Sequence, residues 1–161
     1  VLPSSIELTR TVALSSQAVI PALRSQLVSA AAASERGTMH LDSPVPGGGR
    51  LTVPVRLRVR YPALGGRRFE LTVEAASATP LYPRFDGTLE LRAAGPAETT
   101  LSLRGTYEVP LGVVGRVIDA TAARGIATAS LSRFLDGLVD ELRGSAAAAA
   151  ESAYRAGRHG E

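Results

Sequence analysis

From Leu51 to Val109 apolar residues recur at odd positions and polar ones at even positions, and from about Val113 to Leu142 the rhythm becomes helical. A period of two describes strands with one buried face, and a period near 3.6 describes a helix with one buried stripe. Several half-buried strands followed by one long amphipathic helix must hide both apolar surfaces against each other. The expected fold class is therefore α+β, a curved antiparallel sheet wrapped around a long C-terminal helix.

The pattern is detailed enough to suggest pairings. In Leu51 to Tyr61, Val53, Val55, Leu57 and Val59 share one face, while Arg56, Arg58 and Arg60 share the other. In Arg67 to Ala76, Phe69, Leu71 and Val73 alternate with Glu70, Thr72 and Glu74. A hairpin turning near Leu64 pairs Val59 with Phe69, Leu57 with Leu71 and Val55 with Val73, with Arg58 opposite Glu70. A second hairpin, Arg84–Arg92 with Thr99–Val109, pairs Leu91 with Leu101, Leu89 with Leu103 and Phe85 with Tyr107. It sets Gly87 against Gly105, a spot without Cβ atoms that suits strong curvature or close backbone approach.

Upstream, Ile6, Leu8, Val12 and Leu14 mark a first strand over Ser5–Leu14. Ser15 or Ser16 caps a helix running to about Ala33, which Pro21 should bend or weaken. A short strand is expected over Thr38–Asp42. Thr11 to Ser34 is not read as a signal peptide, because Gln17, Arg24 and Gln26 interrupt its apolar centre. The domain is expected to span residues 1–143. Residues 144–161 are alanine-rich without a bulky apolar stripe, and a flexible tail is expected there.

Composition removes several function classes. The chain has no Cys, so thiolate catalysis, disulfides and Cys-bound metals are excluded. All 18 basic residues are Arg, so a P-loop lysine and Schiff-base chemistry are excluded, and the bias itself suggests a GC-rich bacterial genome. His40 and His159 are too far apart in the chain to suggest a metal pair, and no metal or cofactor is expected. The Arg56–Arg58–Arg60 stripe faces Glu70 and lacks interleaved aromatics, so it reads as a solvated face rather than a nucleic-acid surface. No transmembrane helix is expected, hence no stable membrane insertion, and the default location is the cytoplasm.

The order strand, helix, antiparallel strands, long closing helix resembles the SRPBCC superfamily, which includes START domains, birch pollen allergen-like proteins, polyketide cyclases and coenzyme Q-binding proteins. Ile6-Glu7-Leu8-Thr9-Arg10-Thr11-Val12 and Gln17-Ala18-Val19-Ile20 resemble its first strand and helix. Tyr82 to Leu89 and Gly105 to Gly115 resemble a bacterial subgroup of undefined function. The resemblance implies a helix-grip fold and leaves open whether the protein is a carrier, a cyclase or a co-chaperone.

The closing helix carries Val114, Val117 and Ile118 early and Leu131, Leu135, Leu138 and Leu142 late, with Thr121, Ala122, Gly125, Thr128 and Ala129 between. Small residues at mid-helix leave room for a ligand or for closer approach of the sheet. On the first reading the ligand-binding lining is Val55, Leu57, Val59, Phe69, Leu71, Val73, Leu89, Leu91, Leu101, Leu103 and Tyr107 on the sheet, with Val117, Thr121, Gly125 and Thr128 on the helix. Such a wall suits a lipid, isoprenoid or polyketide-like molecule bound without catalysis. No catalytic set is legible. A polyketide cyclase or aromatase-type enzyme would need Arg10, Tyr61 and Tyr107 to converge, and an interaction module would have a filled core. Oligomeric state is not encoded in these patterns.

Overall fold

The computed structural model describes residues 4–44, 48–61, 66–76, 83–108 and 120–158. The elements run β1 (Ser4–Val12), α1 (Ser16–Glu35), β2 (His40–Pro44), β3 (Arg50–Arg60), β4 (Arg68–Ala75), β5 (Arg84–Gly95), β6 (Glu98–Glu108) and α2 (Ala120–Arg158). One antiparallel sheet has the order β1-β6-β5-β4-β3-β2. The first strand therefore returns to pair with the last, and β1 and β2 form the two edges. This is the α+β architecture expected from the alternation, and the helix-grip arrangement that the resemblance implied.

The β5–β6 hairpin has the expected register, including Gly87 opposite Gly105. The β3–β4 hairpin departs from expectation by two residues: Val59 faces Leu71, Leu57 faces Val73 and Val55 faces Ala75. Arg60, not Arg58, stands opposite Glu70, and Arg58 stands opposite Thr72. A slip of two preserves which side chains face inward, so side-chain alternation could not distinguish the registers.

Registers around the sheet align the inward side chains in rows. Leu57, Val73, Phe85 and Tyr107 form one row. Val59, Leu71, Gly87, Gly105 and Ile6 form the next. Phe69, Leu89, Leu103 and Leu8 form a third. The core sits against these rows.

α1 begins where Ser15 accepts the backbone N–H of Ala18, as an N-cap should. It continues through Pro21, which is exposed, and buries Val19, Leu23 and Leu27 along one face. β2 starts two residues later than expected, at His40. Val113 to Asp119, assigned by periodicity to the closing helix, lie outside the described residues. α2 buries Ala127, Leu131, Phe134, Leu135, Leu138, Val139 and Leu142. It then continues to Arg158 through the alanine-rich segment, as helix where a flexible tail was expected. From Arg143 onward its side chains are exposed, apart from half-buried Ala146.

Candidate functional site: the inner face of the sheet

The sheet residues expected to line a site all face the core. Val55, Leu57, Phe69, Leu71, Val73, Leu89, Leu91, Leu101, Leu103 and Tyr107 are buried in the core, and Val59 is partly buried against it. Phe85, Ile6 and Phe134 join them. Phe85 has the same parity as Leu89 and Leu91, so alternation alone sufficed to include it. Phe134, which the sequence reading left out, lies about one turn beyond Leu131, a helical spacing that would have included it.

The helix lining is different. Val117 lies outside the described residues, Thr121 is part of α2, and Thr128 is half-buried. Gly125 is exposed, and a Cβ built on it meets nothing within 4 Å. At 100° per residue Gly125 lies about 120° around the helix from Leu131, off the buried stripe. Its place in the expected lining is therefore corrected. A small side chain fits an inward or an outward position equally well, and helical phase decides which it has.

α2 approaches the sheet most closely at its edge strands, β1 and β2, and also packs on α1. An ion pair ties it to each edge. Arg10 Nε of β1 donates to Asp136 Oδ1 at 2.6 Å, while its Nη2 donates to Ser132 Oγ at 2.8 Å. Arg133 of α2 reaches Asp42 of β2 at 3.6 Å. Arg10 falls on the inward parity of β1, and its charge is used by the helix at the rim.

Other polar groups near the core are also engaged. Ser34 Oγ accepts the Leu57 N–H at 3.0 Å and lies 2.8 Å from the Ala31 carbonyl. Thr99 Oγ1 donates to the Leu14 carbonyl at 2.8 Å. Among the described residues, Ser130 Oγ is the buried side-chain oxygen without a partner. Tyr61 packs edge-on to Phe69, with ring centroids 5.9 Å apart, and the Arg24 guanidinium of α1 lies 5.2 Å from its ring centre. Burial pushes the Tyr61 phenol up, against the pull of Arg24. Tyr61 follows the end of β3 and lies against Phe69 and Arg24, Tyr107 on β6 stands opposite Phe85, and Arg10 is committed to α2. These three groups do not converge.

The outer face is polar. A depression of about 540 Å³ there is bounded by Arg58, Arg60, Glu70, Thr72, Arg84 and Asp86 among others. Its charges are largely matched: Arg58 reaches Glu74 at 3.3 Å, Arg60 reaches Glu70 at 3.7 Å, and Arg84 reaches Asp86 at 2.9 Å. This is a solvated, ion-paired surface. Among the described residues no group of acidic, His or Cys side chains could hold a metal ion. Nor, among them, is any helix long and apolar enough to cross a membrane.

No family model matches the chain, and no curated protein matches it. Solved structures do share its fold. The ZhuI aromatase/cyclase from Streptomyces sp. R1128 is 15% identical over 90% of this chain and 94% of that one, with a TM-score of 0.59. A conserved protein from Geobacillus kaustophilus is 15% identical over 88% of this chain and 97% of its own, with a TM-score of 0.55. A norcoclaurine synthase variant from Thalictrum flavum is 10% identical over 89% of this chain and 96% of its own, with a TM-score of 0.53. At such identities the likeness is one of fold. The chain thus has the helix-grip fold, the architecture its sequence resemblance implied.

Proposed function

We propose that the protein binds a hydrophobic small molecule between the inner face of the sheet and α2, as a carrier or sensor and without catalysis. The observation that carries this reading is how the polar groups bordering the inner face are used. Arg10, Ser34 and Thr99 are all engaged in intramolecular bonds. What faces inward beyond them is chiefly Leu, Val and Phe. Such a wall rewards apolar area at roughly 25 cal/mol per Å² buried and offers little to orient a reacting group. A lipid, an isoprenoid or a polyketide-like chain fits this chemistry.

A cyclase or aromatase must hold a polyketone and polarise its carbonyls with several donors aimed at one place. The dispersal of Arg10, Tyr61 and Tyr107 weighs against that alternative, and Ser130 supplies one free hydroxyl. Native mass spectrometry of the purified protein, with solvent extraction of whatever it carries, tests the binding reading. The expected result is an apolar adduct or stoichiometric uptake of an added naphthalene or fatty-acid probe. A protein that carries no adduct and takes up neither probe would overturn it. Turnover of a poly-β-ketone mimic would replace it with the enzyme.

A further inference from the structure

Phe85 faces inward on β5, opposite Tyr107 and two residues before Gly87. Side chains on a strand ordinarily stand off the sheet, and an upright Phe here would project away from it into the core. The ring instead lies along the sheet, over the two paired glycines. A Cβ built on Gly87 would come within 2.4 Å of Phe85 Cζ and 2.8 Å of Cε1, and one on Gly105 within 2.7 Å of Cε2. The far edge of the ring therefore occupies the space that two side chains would take on adjacent central strands.

We propose that the Gly87–Gly105 notch is a seat for the Phe85 ring, and that the seated ring sets the depth of the hydrophobic site, so that Phe85 determines ligand size. This rests on the binding reading above. Two independent observations meet in it. The notch is filled by a ring from within the same strand. α2, meanwhile, makes its main sheet contacts at the edge strands β1 and β2, so over the central strands the room on the inner face is set by how far their own side chains rise. Covering paired glycines with an aromatic ring also stabilises a curved sheet, and the seat performs both tasks.

The test compares Phe85→Leu and Phe85→Ala with the wild type, using a naphthalene-sized and a pyrene-sized fluorescent probe. Loss of the ring should deepen the site and shift the affinity ratio toward the pyrene probe by roughly tenfold, the scale on which hydrophobic pockets discriminate by size. An unchanged ratio in folded variants would overturn the proposal. If the wild type binds neither probe, the binding reading itself falls and the proposal with it. Should the variants not fold, the wild type decides. Nuclear Overhauser contacts from the Phe85 ring to the α-protons of Gly87 and Gly105, retained on adding the naphthalene probe, support the seat, and their absence rejects it.

Discussion

Leu57 lies where β3 has run past the end of β2, so its backbone groups on that edge have no strand partner. Ser34, near the C-terminal end of α1, meets them: its Oγ lies 3.0 Å from the Leu57 nitrogen and 3.2 Å from the Leu57 oxygen. Ser34→Ala would leave a buried N–H unpaired. A loss of about 1–3 kcal/mol is expected, read as a lower urea midpoint. An unchanged midpoint would mean that water takes the place of the hydroxyl. Asp86 gives a pH signature. Burial raises its pKa, but hydrogen bonds from Arg84 and Thr72 outweigh that and hold the carboxyl below its ordinary 3.8. A depressed folded-state pKa contributes stability that is complete above the unfolded value and lost as pH falls through the folded one. Asp86→Asn should therefore be slightly less stable than wild type at neutral pH, with the difference vanishing in acid. The effect is modest, because the Asp86 side chain is 46% exposed. Urea midpoints of both proteins across pH 2–7, on the order of the carboxylate range, check the sign.

Among the elements, α2 shows how a segment without a buried face can still be helical. The costly step in helix formation is nucleation, and the docked half from Ala127 to Leu142 supplies it. Alanines then propagate the helix at no cost in side-chain entropy. Glu151 and Arg155 form an i,i+4 pair at 2.6 Å, and Arg155 and Arg158 place positive charge in the last turn. Among the described residues, no member of the buried core belongs to that extension. Ending the chain after Gly144 should leave the thermal midpoint nearly unchanged while helical circular dichroism falls. A marked drop in the midpoint would show that the extension packs on something.

At the scale of the molecule, α2 acts as a strap held at both rims. The polarity of the two ion pairs is opposed: β1 supplies the Arg to Asp136, and β2 supplies the Asp to Arg133. Crossing the helix to the wrong edges would therefore set like charges together. Reversing Arg10→Asp alone should destabilise by roughly 1 kcal/mol, and adding Asp136→Arg should recover much of that. A double-mutant cycle in urea measures the coupling. A zero coupling energy would mean that packing of Phe134, Leu135 and Leu138 places the helix unaided.

The identity of the inward residues was legible in the chain, because a strand's side chains alternate whatever its partner, and a two-residue slip does not change the face. For that reason the aliphatic wall from Val55 to Leu103 was found even though the β3–β4 register was displaced by two. The β5–β6 register was legible as well, where two alternating runs agree on one pairing and Gly87 falls opposite Gly105. Tertiary structure decided what alternation cannot encode. The observed pairing places Arg60 rather than Arg58 against Glu70, and helical phase turned Gly125 outward. Arg10 found its partner 126 residues away on α2, and the Phe85 ring lay down over two glycines. Each of these depends on where another element's atoms stand in space. A local period fixes direction but carries no information about what is met there.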